Sequence, residues 1–244
     1  MQREAGRDCR RVCAASHQAE AGPLAVVQAS TGDPVHDGRS GMTRLPSGWR
    51  VPDANVWTGE LVPYPLVFAW NPAALDVRLS YLDPDNEDWM FDVLWARHGQ
   101  DRSGHHKWRA VNALRQRAMM VEHQCMVCSK PAAEPGSRIP WLFHTDPETT
   151  GDGARLTNLP PTCWECIPEA LDTCPPLRRR SRVCTAAGSK PFGAVVDLYS
   201  PGDDETAVRV ERDAMVTLSS PLLRFALAKQ LWVALDDLQD AARP

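Results

Sequence analysis

Apolar and polar positions change period several times along the chain, and each change marks a predicted element. Between Trp49 and Trp95 the pattern is strand-like and punctuated by proline: Leu61-Val-Pro-Tyr-Pro-Leu-Val-Phe-Ala-Trp70, Val77-Arg-Leu-Ser-Tyr-Leu82 and Trp89-Met-Phe-Asp-Val-Leu-Trp95. Val77, Leu79 and Tyr81 alternate as a half-buried strand does, and Asp83-Pro-Asp-Asn86 has the composition of a turn, so a small antiparallel sheet is predicted. From Lys107 to His123 the period becomes helical, with Trp108, Val111, Leu114, Ala118 and Val121 on one face. Ile139-Pro-Trp-Leu-Phe-His144 reads as a strand, and Trp164 to Leu171 as a short helix stopped by Cys174-Pro175-Pro176. Phe192 to Tyr199 and Thr206 to Glu211 read as two strands joined through Pro201-Gly-Asp-Asp204. Ser220-Pro221 has the form of an N-cap followed by proline at the first helical position. Leu223, Leu227, Leu231, Ala234 and Leu238 then step by three or four, which predicts a closing C-terminal helix over 222–238.

Composition sharpens this outline. The chain has 244 residues, 43% of them hydrophobic, with nine tryptophans, 21 prolines and 15 glycines. That supplies a core but much loop, which disfavours a helical bundle. Residues 1–41 contain no Trp, Tyr or Phe, and their one apolar patch is Leu24-Ala-Val-Val27. Such a segment buries too little surface to offset its ordering entropy, so it is expected to be a disordered extension, with Met42 an alternative start. The expected division is therefore 1–41 extension, 42–106 strand-rich segment, 107–186 central cysteine-bearing region and 187–244 strand-strand-helix unit. The net charge is −4, and the longest apolar run, Leu222 to Leu235, is broken by Arg224, Lys229 and Gln230, so no membrane span is expected. The basic N-terminus has no apolar stretch of the signal-peptide kind behind it, which points to the cytoplasm. In a reducing compartment, eight cysteines read first as metal ligands or buried thiols.

The strongest motif is Cys125-Met-Val-Cys128 followed, 35 positions after Cys128, by Cys163-Trp-Glu-Cys166. A Cys-x2-Cys knuckle turns two thiolates toward one point, and two knuckles make the closed tetrahedral sulfur shell of structural zinc; magnesium and calcium want oxygen. Four unrelated buried thiols or a thioredoxin-like redox pair leave the matched spacing unexplained, and an iron–sulfur cluster is less favoured for pairs so far apart. Cys174 and Cys184 are expected to be buried thiols. Cys9 and Cys13 lack a partner pair and are read as incidental. Knuckle, hairpin, then a helix carrying the last two ligands is the order of a treble-clef zinc finger, so the fold class expected is α+β, a treble-clef core with flanking antiparallel strands and a C-terminal helix.

At these positions residues 120–170 resemble the zinc-bearing variety of the HNH endonuclease family: a first Cys-x2-Cys, a strand ending in His144, an Asn158-Leu159 loop and a second Cys-x2-Cys. The resemblance implies that His144 activates water and that Asn158 orients the hairpin or metal loop. Two positions depart from it. Phe143 stands where an acidic or second His ligand is usual, and Ile167 where the family places its last metal-binding His, so the cradle for a catalytic metal is missing. A wider span, about Trp57 to Leu198, resembles a group of uncharacterised actinobacterial proteins through Val93-Leu-Trp-Ala-Arg97, Leu114-Arg-Gln-Arg117-Ala118-Met119, the two knuckles and Cys174-Pro-Pro-Leu-Arg178. It brings no activity.

Residues 97–130 hold seven Lys or Arg against two acids, and Arg178-Arg179-Arg180 with Arg182 forms a second basic cluster. Arg109, Arg115, Arg117, Arg178, Arg179, Arg180 and Arg182 are therefore the candidate phosphate contacts. The tryptophans lie in elements where core packing is the commoner use, and the pair His105-His106 lacks the partners of a second metal shell. The expectation is a non-catalytic, zinc-structured binding protein with nucleic acid as first-choice partner and another protein as second. The alternative is an HNH-like nuclease with altered metal ligands.

Overall fold

The computed structural model describes residues 50–72, 75–202 and 206–242. The expectations for residues 1–41, Cys9, Cys13 and Met42 lie outside these residues. The described residues all lie in one compact unit, mixed α+β and built mostly of strands.

The first strands are short: β1 (Asn55–Trp57), β2 (Leu66–Asn71), β3 (Asp76–Tyr81), β4 (Trp89–Met90), β5 (Val93–Trp95) and β6 (His106–Val111). Pro63 and Pro65 keep Leu61 to Pro65 out of β2, because proline withholds a ladder N–H. β2 and β3 pair in register from Leu66↔Tyr81 to Asn71↔Asp76. The third predicted run does not join them. It folds into the β4–β5 pair and enters a larger sheet.

The predicted helix over 107–123 is two elements. Its first part is β6, paired antiparallel with β1, and the helix α1 (Ala113–Val121) starts only after Asn112, whose Oδ1 accepts the Arg115 N–H at 3.1 Å. The cap decides the boundary, and β-prone Trp108 and Val111 fall on the strand side. Beyond α1 come β7 (Ile139–Phe143), β8 (Glu148–Thr149), β9 (Arg155–Thr157), α2 (Ile167–Thr173), α3 (Pro175–Arg179) and β10 (Arg182–Ala186). β7 and β10 pair antiparallel.

The C-terminal part corrects the sequence reading outright. After β11 (Gly188–Pro201) and β12 (Ala207–Thr217), Ser220 does cap a turn, its Oγ accepting the Leu222 N–H at 3.2 Å, but the turn is a single 3₁₀ segment, Pro221–Phe225. Residues 226–236 are then a strand, β13 (Ala226–Asp236), followed by β14 (Gln239–Asp240). Among the described residues there is no C-terminal helix. β13 is central to the seven-stranded sheet, with one face buried and the other half-buried, so apolar residues stand on both and only Lys229 and Gln230 interrupt them before Asp236. In such a run a helical spacing of leucines arises by chance.

β13 lies antiparallel to β11 along one edge. Along the other it meets β5, in parallel at Leu227–Ala228, and β9, antiparallel at Val233–Leu235. Between those partners Leu231 faces a gap, and the wholly buried amide of Gln116 on α1 fills it. Its Oε1 accepts the Leu231 N–H at 2.8 Å, and its Nε2 donates to the Leu231 carbonyl at 3.0 Å and to the Asn158 carbonyl at 2.8 Å. One side chain thus stands in for a missing strand residue, which settles backbone groups that burial would otherwise penalise. The main core, with Trp95, Trp141, Phe143, Met120, Val196 and Leu231, packs between this sheet and the cysteine loops. Among the described residues no helix is long and apolar enough to cross a membrane.

Candidate metal centre

The structure brings Cys125, Cys128, Cys163 and Cys166 together, with their sulfurs all within 4.8 Å of one another. Cys128 Sγ and Cys163 Sγ, 35 residues apart in sequence, stand 3.9 Å apart. Four sulfurs about 2.3 Å from a central ion in a tetrahedron would be about 3.8 Å apart, whereas a disulfide brings them to about 2.05 Å. The spacing fits four ligands around one ion.

Each pair is positioned by its own backbone. In the first knuckle the Cys125 N–H donates to the Lys130 carbonyl at 2.7 Å and the Ser129 N–H to the Cys125 carbonyl at 2.9 Å, which closes the turn. Ser129 takes the left-handed conformation that this closure needs (φ 57°). The Val127 N–H points at Cys125 Sγ, 3.4 Å away. In the second pair Cys166 is the N-cap of α2, and its N–H donates to the Cys163 carbonyl at 3.0 Å. The two knuckles are joined directly by the Met126 N–H, which donates to the Pro161 carbonyl at 2.8 Å.

Burial pushes the Cys163 thiol up and the Cys166 thiol up to about 11. Burial acts the same way on Cys128, but the Lys130 N–H and the neighbouring thiols of Cys125, Cys166 and Cys163 outweigh it and hold this group below the usual thiol range. A divalent cation among the four would supply the positive charge that lets them ionise together, and its binding would release protons. Four protein sulfurs around one point would leave a tetrahedral ion no open position, which is what a structural site has and a catalytic site does not.

Arg50 and Asp53 also belong to the centre, and neither stands out in the sequence. Arg50 Nη2 lies 3.4 Å from Cys166 Sγ and 2.5 Å from Glu169 Oε2. The Asp53 carboxylate accepts the Ser129 hydroxyl, while the Asp53 and Ala54 N–H groups donate to the carbonyls of Val127 and Met126 at 3.3 and 3.1 Å. No local pattern reveals contacts that span more than seventy residues.

The other candidate residues are dispersed. His144 follows β7 and is exposed, and no group of three ligand atoms among the described residues includes it. Asn158 is a brace: its Nδ2 donates to Gln230 Oε1 at 2.5 Å. Cys184 is buried beside Asp240, Cys174 is half-buried, and neither joins the four-sulfur group. Arg115 is engaged inside the fold, with its Nε on the Asp53 carbonyl at 2.6 Å and its Nη atoms on the buried Glu60 carboxylate. Arg117 lies 5.1 Å from the centre of the Trp95 ring. Arg178 donates to the Asp172 carbonyl, and Arg182 pairs with Asp146 and Asp240. Arg180 reaches Asp146 at 3.4 Å from an exposed position, and Arg109 and Arg179 are exposed.

No protein-family model, no curated protein and no solved structure matches the chain.

Proposed function

We propose that this chain is a zinc-structured binding protein of treble-clef type whose partner is nucleic acid. The observation that carries the metal assignment is the closed set of four sulfurs, since thiolates select zinc over oxygen-seeking cations and leave no open position for chemistry. The order along the chain supports the treble-clef reading, with a knuckle, strands, and a last pair of cysteines at the head of α2. The exposed arginines Arg109, Arg179 and Arg180 are the support for nucleic acid.

The nuclease reading is weaker for a specific reason. Phe143 and Ile167, which occupy the two positions where a catalytic metal would find ligands in the HNH family, are both buried apolar core. Metal analysis of protein purified without added zinc should find close to one equivalent, and gel-shift titrations should show affinity falling as salt rises, by roughly 0.7–0.9 log units per log unit of salt for each phosphate contacted. Less than about half an equivalent of metal, in protein kept reduced, would remove the basis of the assignment. Plasmid nicking with magnesium or manganese that is lost on His144→Ala would establish the nuclease instead.

A further inference from the structure

The stretch that follows β5 is a strap fixed at four successive residues. The Ala96 N–H donates to the Ala228 carbonyl on β13, the Arg97 N–H to the Tyr81 hydroxyl and the Gly99 N–H to the Glu60 carbonyl, each at 2.8 Å. Between them the half-buried His98 works through its ring: Nε2 accepts the Ala113 N–H at 3.0 Å. Ala113 is the first residue of α1 and is buried. Its N–H has no partner inside the helix and, so placed, no water to turn to. Two side chains thus divide the capping of α1, His98 taking the Ala113 N–H and Asn112 that of Arg115.

The ring can do this in one protonation state. A neutral imidazole has one nitrogen that donates and one that accepts. Accepting at Nε2 leaves the proton on Nδ1, and Nδ1 is enclosed with no hydrogen-bond partner. A second proton would turn Nε2 into a donor aimed at another donor, and would put a full positive charge at the helix end that already carries a partial one.

The charged groups that bear on the ring are Glu60 and Arg115. Glu60 favours the imidazolium, but its carboxylate is already paired with Arg115 and, at 3.7 Å, with Arg102. Burial outweighs the pull of Glu60 and, with Arg115 adding to it, holds His98 below its ordinary value of 6.5. A folded value below the unfolded one means that the cap contributes in full above 6.5 and is lost as pH falls from there.

The cap holds more than a helix end. The first turn of α1 carries Arg115, which ties down the Asp53 and Asn55 carbonyls, and Gln116, which fills the gap at Leu231. We propose that His98 is an acid-released latch: neutral, it fixes the start of α1, and protonated, it frees that turn and with it the hold of Arg115 and Gln116 on the 53–55 backbone and on β13. The latch needs neither the metal nor the nucleic acid proposed above.

The test uses the full chain. At neutral pH, nitrogen NMR of the His98 ring should show Nε2 bare and Nδ1 protonated. On titration to about pH 5.5, the ring and the Ala113 amide should shift with one shared midpoint below 6.5. Hydrogen exchange of the α1 amides is then compared with that of His98→Gln, whose amide oxygen reaches where Nε2 stands and does not titrate. The two chains should match at neutral pH. Below 6.5 the unaltered chain should exchange faster than the variant, by up to about tenfold for each pH unit. Both chains are read at the same pH, so the acid sensitivity of the cysteines cancels, as does that of His106 and His123, which burial also holds below the usual histidine range. A proton on Nε2 at neutral pH, separate midpoints for ring and amide, or α1 exchange with the same pH dependence in both chains overturns the latch. If His98→Gln does not fold, the tautomer and the shared midpoint in the unaltered chain decide.

Discussion

Gln116→Leu tests the claim that a side-chain amide completes the central sheet. The substitution keeps a side chain of similar size but removes one acceptor and two donor interactions. It strands the N–H and C=O of Leu231 and takes one partner from the Asn158 carbonyl. Gln116 and Leu231 are both fully buried, so water cannot replace the missing partners without opening the sheet. An orphaned buried backbone group costs about 1–3 kcal/mol, which puts the loss for the two Leu231 groups at about 2–6 kcal/mol. Against a net stability of about 5–15 kcal/mol that is a large fraction. For a unit of this size it lowers the melting temperature by roughly 5–20 °C. Urea unfolding should show a lower midpoint with an unchanged slope, and hydrogen exchange should show the Leu231 amide losing protection ahead of its neighbours on β13. A loss below about 1 kcal/mol, or a Leu231 amide as protected as before, would refute the bridging role.

Three further outcomes follow from the same physics. Arg115→Met should cost about 3–5 kcal/mol in urea unfolding, because it leaves the buried Glu60 carboxylate paired only with Arg102, at 3.7 Å, and Glu60→Gln should cost less, because Arg115 is partly exposed and keeps the Asp53 and Asn55 carbonyls; the double variant should cost less than the sum. Additive losses would mean the pair is not coupled. Glu60, Asp53 and Asp197 are all desolvated, yet Arg115 for Glu60, Ser129 and Arg102 for Asp53, and Lys229 for Asp197 hold them below their ordinary values of 4.5, 3.8 and 3.8. Folded values below unfolded ones mean stability that is present at neutral pH and lost as pH falls through 4.5 and below, with a urea midpoint that should drop over that range. Finally, Arg50→Met should release metal to a chelator faster than the unaltered chain with little change in the melting temperature of the metal-bound form, since the guanidinium offsets thiolate charge from an exposed position. An unchanged release rate would show that the interaction is incidental.

What is readable in the sequence is what short-range spacing determines. The four cysteines can be assigned to one site because each knuckle is a local turn, and β3, β7 and the β11–β12 pair carry alternation or β-branched runs of their own. β13 reads wrongly for a physical reason: its half-buried face carries Leu227, Trp232 and Ala234 opposite the buried face, which masks the alternation in sequence, and Leu223, Leu227 and Leu231 happen to fall at helical intervals. Gln116 has the look of the solvent side of a helix, because nothing near it in sequence announces a gap between β5 and β9. The arginines can be read from sequence by charge alone. Whether a guanidinium faces water or a buried carboxylate such as Glu60 depends on residues 55 positions away.

The same long-range logic explains how a site made of two short loops is held in register. Residues 50–55 cross both of them. Asp53 and Ala54 hydrogen-bond the backbone of the first knuckle, Asp53 also takes the Ser129 hydroxyl, and Arg50 reaches the second pair at Cys166 and its helix at Glu169. The crossing segment is itself fixed from below, by Arg115 on the Asp53 and Asn55 carbonyls and by Glu60 behind Arg115. Arg115 shares α1 with Gln116, which closes the gap in the central sheet. The cysteine site, the crossing segment, α1 and β13 are therefore links in one chain of polar interactions, exposed at Arg50 and buried at Glu60 and Gln116. If the four cysteines hold a metal ion as proposed, the ion would stabilise all of them together, and its removal should loosen the sheet as well as the loops that hold it.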